Sequence, residues 1–211
     1  MKLKKKIKIL FFLIFLILLL ILLGLVGYQV YRTYGKKEEV KEIKVINKIE
    51  KYGYSLKENK TAEYKKMFKE LEDILNEKEV NEEEYAKKVV EMFIYDFYSL
   101  QDKTAKTDIG GVDFVYSGIL ENFLQNAQNT YYKYIESNIY DNRKQSLPIV
   151  SNIEIESVEK SPFTYATETD DGAYIVKANW SYTDSEFSNY QKAATLVLIH
   201  DGIKLSLVEL Q

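Results

Sequence analysis

The chain has 211 residues, no cysteine, a single histidine and only two prolines, and its formal charge at pH 7 is −3. Without cysteine it holds no disulfide, no thiolate nucleophile and no Cys-based zinc site. Residues 1–35 carry six Lys/Arg and no Asp/Glu, while the remainder carries 23 Lys/Arg against 32 Asp/Glu, a formal −9 that argues against nucleic acid as a partner.

Residues 9–30 contain no charged side chain, and Ile9 to Leu23 are drawn only from Ile, Leu and Phe. As a helix these positions reach about 33 Å, against a hydrocarbon core of about 30 Å, and insertion is favourable by about 5–10 kcal/mol on an additive scale. The pattern predicts a transmembrane helix over residues 9–31, a signal anchor in contact with membrane lipid. Lys2, Lys4, Lys5, Lys6 and Lys8 precede it. The positive-inside bias then predicts a cytoplasmic N-terminus and an extracytoplasmic remainder at the cell membrane, with Tyr28, Tyr31 and Tyr34 at the far interface. A cleaved signal peptide competes, but its apolar region is shorter and ends in small residues. Gly24 and Gly27 lack the G-x-x-x-G spacing of tight helix pairs. Abundant Lys, Ile, Asn and Tyr point by association to an AT-rich bacterial genome, and so to a bacterial cell envelope. The expected organisation is a cytoplasmic basic tail over 1–8, the membrane helix over 9–31, a juxtamembrane stalk over 32–51 and an α+β domain over 52–211.

Between residues 36 and 56 two periodicities compete. Val40, Ile43 and Ile46 fit a helical stalk, whereas Ile43, Val45, Tyr52, Tyr54 and Leu56 alternate as a strand. The preferred reading is a short stalk leading into a strand that ends near Leu56. From Thr61 the apolar positions Tyr64, Met67, Phe68, Leu71, Ile74 and Leu75 trace one helical stripe. Asn81 with Glu84 three residues on marks a second helix start, followed by a stripe of Ala86, Val89, Val90, Phe93, Phe97 and Leu100. A loop rich in Asp, Thr and Gly follows at 106–113. A third helix is expected from Ser117, burying Leu120, Phe123, Leu124, Ala127, Tyr131, Tyr134 and Ile135 and stopping before Asp141.

After Pro148 the period changes to two. Ile153 and Ile155 alternate with Glu154 and Glu156, and Thr164 to Glu168 is read as an extension of that strand past Pro162. Asp171-Gly172 is a hairpin signal, after which Tyr174, Val176, Ala178, Trp180 and Tyr182 share a face. A strand over Tyr190 to Ile199 and a second hairpin signal at Asp201-Gly202 lead to Ile203, Leu205 and Leu207. Helices first and hairpin-linked strands after predict an α+β fold with three helices packed on a curved antiparallel sheet of about four strands.

Little in the chain points to chemistry. His200 stands alone and precedes a turn, which favours an edge histidine over a catalytic one. No EF-hand, nucleophile elbow, phosphate loop or dinucleotide fingerprint occurs, so neither a metal nor a cofactor is expected, and Gly110-Gly111 reads as a plain glycine pair. The clustered Tyr95, Tyr98, Tyr131, Tyr132 and Tyr134 could line a cavity or form a partner patch, and Tyr95, Tyr98, Tyr131 and Tyr134 with Trp180 are the candidate pocket or interface residues, against the simpler reading that they fill the core. Asp96 lies beside the apolar stripe of its helix. Buried, it could act as a general base of raised pKa; at the border of the helix it would meet solvent, the favoured reading.

The order of a basic tail, one membrane helix, the strand-like segment YGYSL, three helices and four antiparallel strands resembles membrane-anchored domains of the nuclear transport factor 2-like, cystatin-like cone superfamily. Within it the chain looks like the bitopic scaffold subunits of bacterial conjugation and type IV secretion machines. The resemblance covers residues 5–210 in element order, without a signature motif. It implies a non-enzymatic scaffold that contacts protein partners or itself. Isomerase- or dehydratase-like binding in the cone interior is the alternative it implies.

Overall fold

The computed structural model describes residues 14–29 and 43–211, which belong to two compact units, Met1–Glu42 and Ile43–Gln211. In the first, residues 14–29 form a helix, α1, that is apolar all round, with Phe15, Leu18, Leu22 and Leu25 each about 60 % exposed. Here the expectation of a transmembrane signal anchor over residues 9–31 is corrected. Among the described residues no helix is long and apolar enough to cross a membrane. The span is set by the described part: its sixteen helical residues rise about 24 Å, short of a hydrocarbon core of about 30 Å. Residues 1–13 and 30–42, with the basic tail, Tyr31, Tyr34 and Val40, lie outside the described residues.

The second unit opens with an antiparallel hairpin of β1 (Val45–Ile49) and β2 (Tyr54–Lys57). Over 45–57 strand structure therefore replaces the helical stalk, but as a hairpin and not as the one strand the alternation predicts. Its turn runs through a 3-10 segment, Glu50–Tyr52, and closes at Gly53 with φ 73°, in the left-handed region that glycine enters without a Cβ clash. Tyr52, Tyr54 and Leu56 are buried.

Helix α2 (Ala62–Leu75) starts where Thr61 Oγ1 accepts a hydrogen bond from the Tyr64 N–H, and it buries Tyr64, Met67, Phe68, Leu71 and Leu75. Helix α3 (Glu82–Tyr98) is capped by Asn81, whose Oδ1 accepts from the N–H groups of Glu83 and Glu84. The sequence shows a single apolar stripe on α3, yet Tyr85, Met92, Ile94, Asp96 and Tyr98 are buried as well. This helix packs against α2 and against the sheet at once, so most of its circumference is covered.

Helix α4 (Leu120–Asn129) is shorter than its stripe predicts. Thr130 leaves the helical region, and its Oγ1 donates back to the Asn126 carbonyl, a local bond that competes with helix continuation. The chain then turns on the bond from the Tyr132 N–H to the Ala127 carbonyl. As a result Tyr132 is fully buried and Tyr134, expected inside, is 75 % exposed.

The main sheet has order β3-β6-β7-β8, all antiparallel: β3 (Val150–Lys160), β6 (Tyr174–Tyr182), β7 (Ala193–Asp201) and β8 (Lys204–Leu210). The predicted face of β6 is the core face, with Tyr174, Val176, Ala178 and Trp180 buried. Two expectations fail between β3 and β6. Residues 164–168 do not prolong β3: Pro162 interrupts the ladder, and β4 (Phe163–Tyr165) folds back on β5 (Glu168–Asp170) through Ala166 at φ 49°. Asp171-Gly172 therefore joins β5 to β6, strands that do not pair, whereas Asp201-Gly202 is the hairpin turn between β7 and β8. Ile203 sits in that turn and is exposed.

The two edges of this sheet differ. On β8 the Leu205 N–H donates to the Tyr85 hydroxyl at 3.0 Å and the Leu205 carbonyl accepts from the Tyr54 hydroxyl at 3.1 Å. The Leu207 carbonyl accepts from the Tyr116 N–H at 2.9 Å. On β3 only the Val150 N–H is met from outside the sheet, by Ser99 Oγ, and beyond it no backbone bond reaches the outer edge among the described residues.

Candidate functional site

Asp96 is 6 % exposed, so it neither meets solvent nor lies at a helix border. It enters the interior because α3 is covered on nearly all sides, and three donors converge on it. Lys60, just before α2, places Nζ at 2.6 and 2.7 Å from the two carboxylate oxygens. Lys103, itself 3 % exposed, reaches Oδ1 at 3.0 Å, and the Gly111 N–H donates to Oδ2 at 2.8 Å. Burial alone would raise the Asp96 pKa, but the Lys103 and Lys60 ammoniums and the Gly111 N–H outweigh it and hold the carboxyl at about 2. Burial likewise works to lower Lys103, and Asp96 and Asp102 more than offset it. The direction is opposite to the raised pKa a general base at neutral pH requires. No tyrosine hydroxyl bonds to Asp96 among the described residues; its side-chain partners are lysines.

The loop that supplies Lys103 and Gly111 is itself held in place. Tyr132 donates its hydroxyl to the Phe97 carbonyl at 2.7 Å and accepts from the Gly110 N–H at 3.1 Å. Arg143 binds the Gln101 and Lys103 carbonyls through its two terminal nitrogens. Asp96 is thus the charged hub of a buried junction among α3, the 101–111 loop and the segment before α2.

The aromatic candidates separate into groups. Tyr98, Tyr131 and Trp180 come together, with ring centroids 4.4 Å apart for Tyr98–Trp180 and 5.0 Å for Tyr98–Tyr131. Tyr182, Phe97 and Phe123 join them, although none stood among the sequence candidates. The Trp180 Nε1–H donates to the Tyr182 hydroxyl, which also meets the hydroxyl of Tyr131 and the Gln191 carbonyl. Tyr95 lies elsewhere, with its hydroxyl 3.1 Å from Thr61 Oγ1, and Tyr134 points outward.

This cluster floors an open groove of about 740 Å³ between α4 and the end of β8, lined by Phe97, Tyr98, Phe123, Tyr131 and Leu210 and rimmed by Asn122, Asn126 and Gln191. Tyr98 is 1 % exposed and lies in the floor of this groove. A second groove, of about 480 Å³, runs between the start of β3 and helices α2 and α3. Met67, Tyr95, Ile149 and Ile153 form its apolar part, and Glu63, Glu70, Lys88 and Glu91 its rim.

His200 is fixed in a clasp. Its Nδ1 is 2.9 Å from Asp170 Oδ2, its backbone N–H donates to the same oxygen, and its Nε2 is 3.5 Å from Glu82. Glu82 also accepts from Tyr174 and pairs with Lys160, so the clasp ties the start of α3 to β3, β5, β6 and β7. Among the described residues no group of three or more His, Asp or Glu side chains is arranged to hold a metal ion.

Comparison with protein-family models, with curated proteins and with solved structures finds no match for this chain. Lys60, Lys103, Gly110, Gly111 and Arg143, which build the Asp96 junction, were missed in the sequence. A lone Asp on an apolar stripe with a downstream glycine pair was the one visible sign of it.

Proposed function

We infer that the chain is an interaction or scaffold module of a cell-envelope assembly, associated with lipid through its N-terminal apolar helix and with protein partners through its α+β unit. The observation that carries this reading is the commitment of Asp96. Asp96, the one buried carboxylate among the described residues, is paired with two lysines and held near pKa 2, which argues against its use as a general base and supports surfaces as the working parts. The apolar circumference of α1 supports lipid contact, because contiguous exposed apolar surface of that size needs an apolar neighbour. The test has two readouts. The full chain should float with phosphatidylglycerol-containing vesicles in a density gradient, and a form lacking residues 1–30 should not. Amine-reactive crosslinking in intact cells should convert most of the protein to higher-mass adducts, and recovery as a monomer alone would count against the scaffold role.

A second reading rests on one observation, an aromatic groove between α4 and the end of β8 that is large enough for a drug-sized molecule. On this reading the groove takes a flat apolar ligand that carries a hydrogen-bonding group. Trp180, the only tryptophan, lies against Tyr98 and reports occupancy. Anilinonaphthalene sulfonate should bind one to one and quench Trp180 emission, and Phe123→Glu should abolish the quenching. Quenching that Phe123→Glu leaves intact would place the probe elsewhere.

A further inference from the structure

We propose that β3 is a docking edge for an extended segment of a partner protein in which apolar residues alternate with Lys or Arg. The proposal rests on the interaction-module reading and names the chemistry of the partner.

Three observations lead to it. The first is the asymmetry of the sheet: tyrosine hydroxyls and a backbone N–H occupy the β8 edge at Leu205 and Leu207, whereas the outer edge of β3 beyond Val150 has no such cover. An open edge is a row of unpaired N–H and C=O groups, and adding a strand satisfies them. At about 3.3 Å per residue, the eleven residues of β3 span at most about 36 Å, with irregularities at Val150/Asn152 and Ile155/Ser157 that divide the edge.

The second is the groove that runs alongside. It gives an added strand somewhere to place side chains, over Met67, Tyr95 and Ile153 on the helix-facing side.

The third is the chemistry of β3 itself, which sets the chemistry of its partner. Ile153, Ile155 and Val158 turn toward the helices and stay only partly buried. Glu154, Glu156 and Glu159 are exposed, and of these Glu156 accepts a hydrogen bond from Asn179. Directly opposed cross-strand residues share a face of the sheet. A partner strand therefore presents apolar residues opposite Ile153 and Ile155 and basic ones opposite Glu154 and Glu156. In the groove Glu70 and Glu91 share Lys88 and Glu63 pairs with Lys66, so its lining adds a smaller excess of the same sign. The same charges disfavour a second copy of this chain, because antiparallel pairing of β3 with itself about Ile155 sets Glu154 against Glu156.

The test uses the full chain in non-ionic detergent and fluorescein-labelled acetyl-(Val-Lys)4-amide as the probe. Binding at 50 mM salt should be at least tenfold tighter than that of the (Val-Glu)4 analogue and should weaken as salt rises. An analogue N-methylated on alternate valines, which cannot complete a ladder, should bind at least tenfold more weakly. Deuterium uptake should slow at residues 150–160 and not at 204–210. The exposed double variant Glu154→Lys/Glu156→Lys should reverse the preference and favour the acidic peptide.

Absence of binding by the basic peptide, equal binding by the N-methylated one, or protection elsewhere would overturn the proposal. So would protection of 150–160 that depends on protein concentration without peptide, which would make the occupant a second copy. If crosslinking in cells yields adducts while the peptide fails, the docking edge is wrong and the interaction-module reading stands. If the peptide binds at β3 while the protein stays monomeric in cells, the edge is confirmed and that broader reading falls.

Discussion

Asp96→Asn is expected to lower the stability of the α+β unit by about 3–5 kcal/mol at pH 7, as is typical when one partner is removed from a buried charge cluster. The isosteric amide keeps the volume but leaves Lys103, 3 % exposed, without its main counter-charge, and Lys60 without its partner. Urea titration of the full chain in detergent, followed by Trp180 emission, measures the loss as a shifted midpoint with an unchanged slope. Adding Lys103→Met should restore about 1–2 kcal/mol, because it removes the stranded ammonium and replaces it with a similar apolar volume. A loss below about 1 kcal/mol in the single variant would show that the carboxylate does not organise the junction.

The same carboxylate sets the acid limb of stability. Its folded pKa, about 2, lies below the unfolded value of about 3.9, so its contribution is complete above pH ~4. As pH falls through about 2 the contribution is lost, about 2–3 kcal/mol in all. Lys103 is shifted upward and acts at the other end: its share is present below the ordinary lysine pKa and is lost as pH rises past its raised value. Asp96→Asn should therefore flatten the decline between pH 4 and 2, whereas a general base with a raised pKa would have produced a change near neutrality.

Local pattern carried far in this chain. The stripe of α2, the Asn81 cap, the inward face of β6 and the β7–β8 turn are each set by residues within a few positions of one another, where periodicity and capping act. Failures came where a distant contact overrode the local signal. Tyr132, and not Tyr134, takes the interior position because its hydroxyl finds the Phe97 carbonyl and the Gly110 N–H, 35 and 22 residues away. The Asp171-Gly172 turn has ordinary hairpin chemistry, yet its flanking strands pair with others. At the N-terminus, composition alone set the expected membrane span, and no helix among the described residues is long and apolar enough to cross a membrane. The Asp96 junction was illegible for the same reason as Tyr132: Lys60, Lys103 and Gly111 lie 36, 7 and 15 residues from it, with no shared period.

Gly110→Ala should cost about 3–5 kcal/mol, from overpacking together with a lost charge-assisted bond. A Cβ at this position would sit 1.9 Å from the Asp96 carbonyl oxygen and 2.5 Å from its carbon, and backbone on both sides leaves no flexible group to yield. The loop must then retreat from α3. Retreat breaks the bonds from Gly110 N–H to Tyr132 and from Gly111 N–H to Asp96, so the steric and electrostatic losses arrive together. Gly202→Ala is the control. It sits at φ 66° with open space around its Cβ, so it carries only the left-handed conformational cost, about 1–2 kcal/mol. Thermal unfolding of both variants separates close approach from backbone conformation, and Gly110→Ala should also speed deuterium uptake across 101–111. Equal losses in the two variants would mean that the loop can shift off α3 at little cost, and that the pairing of Asp96 with its lysines does not depend on the glycine.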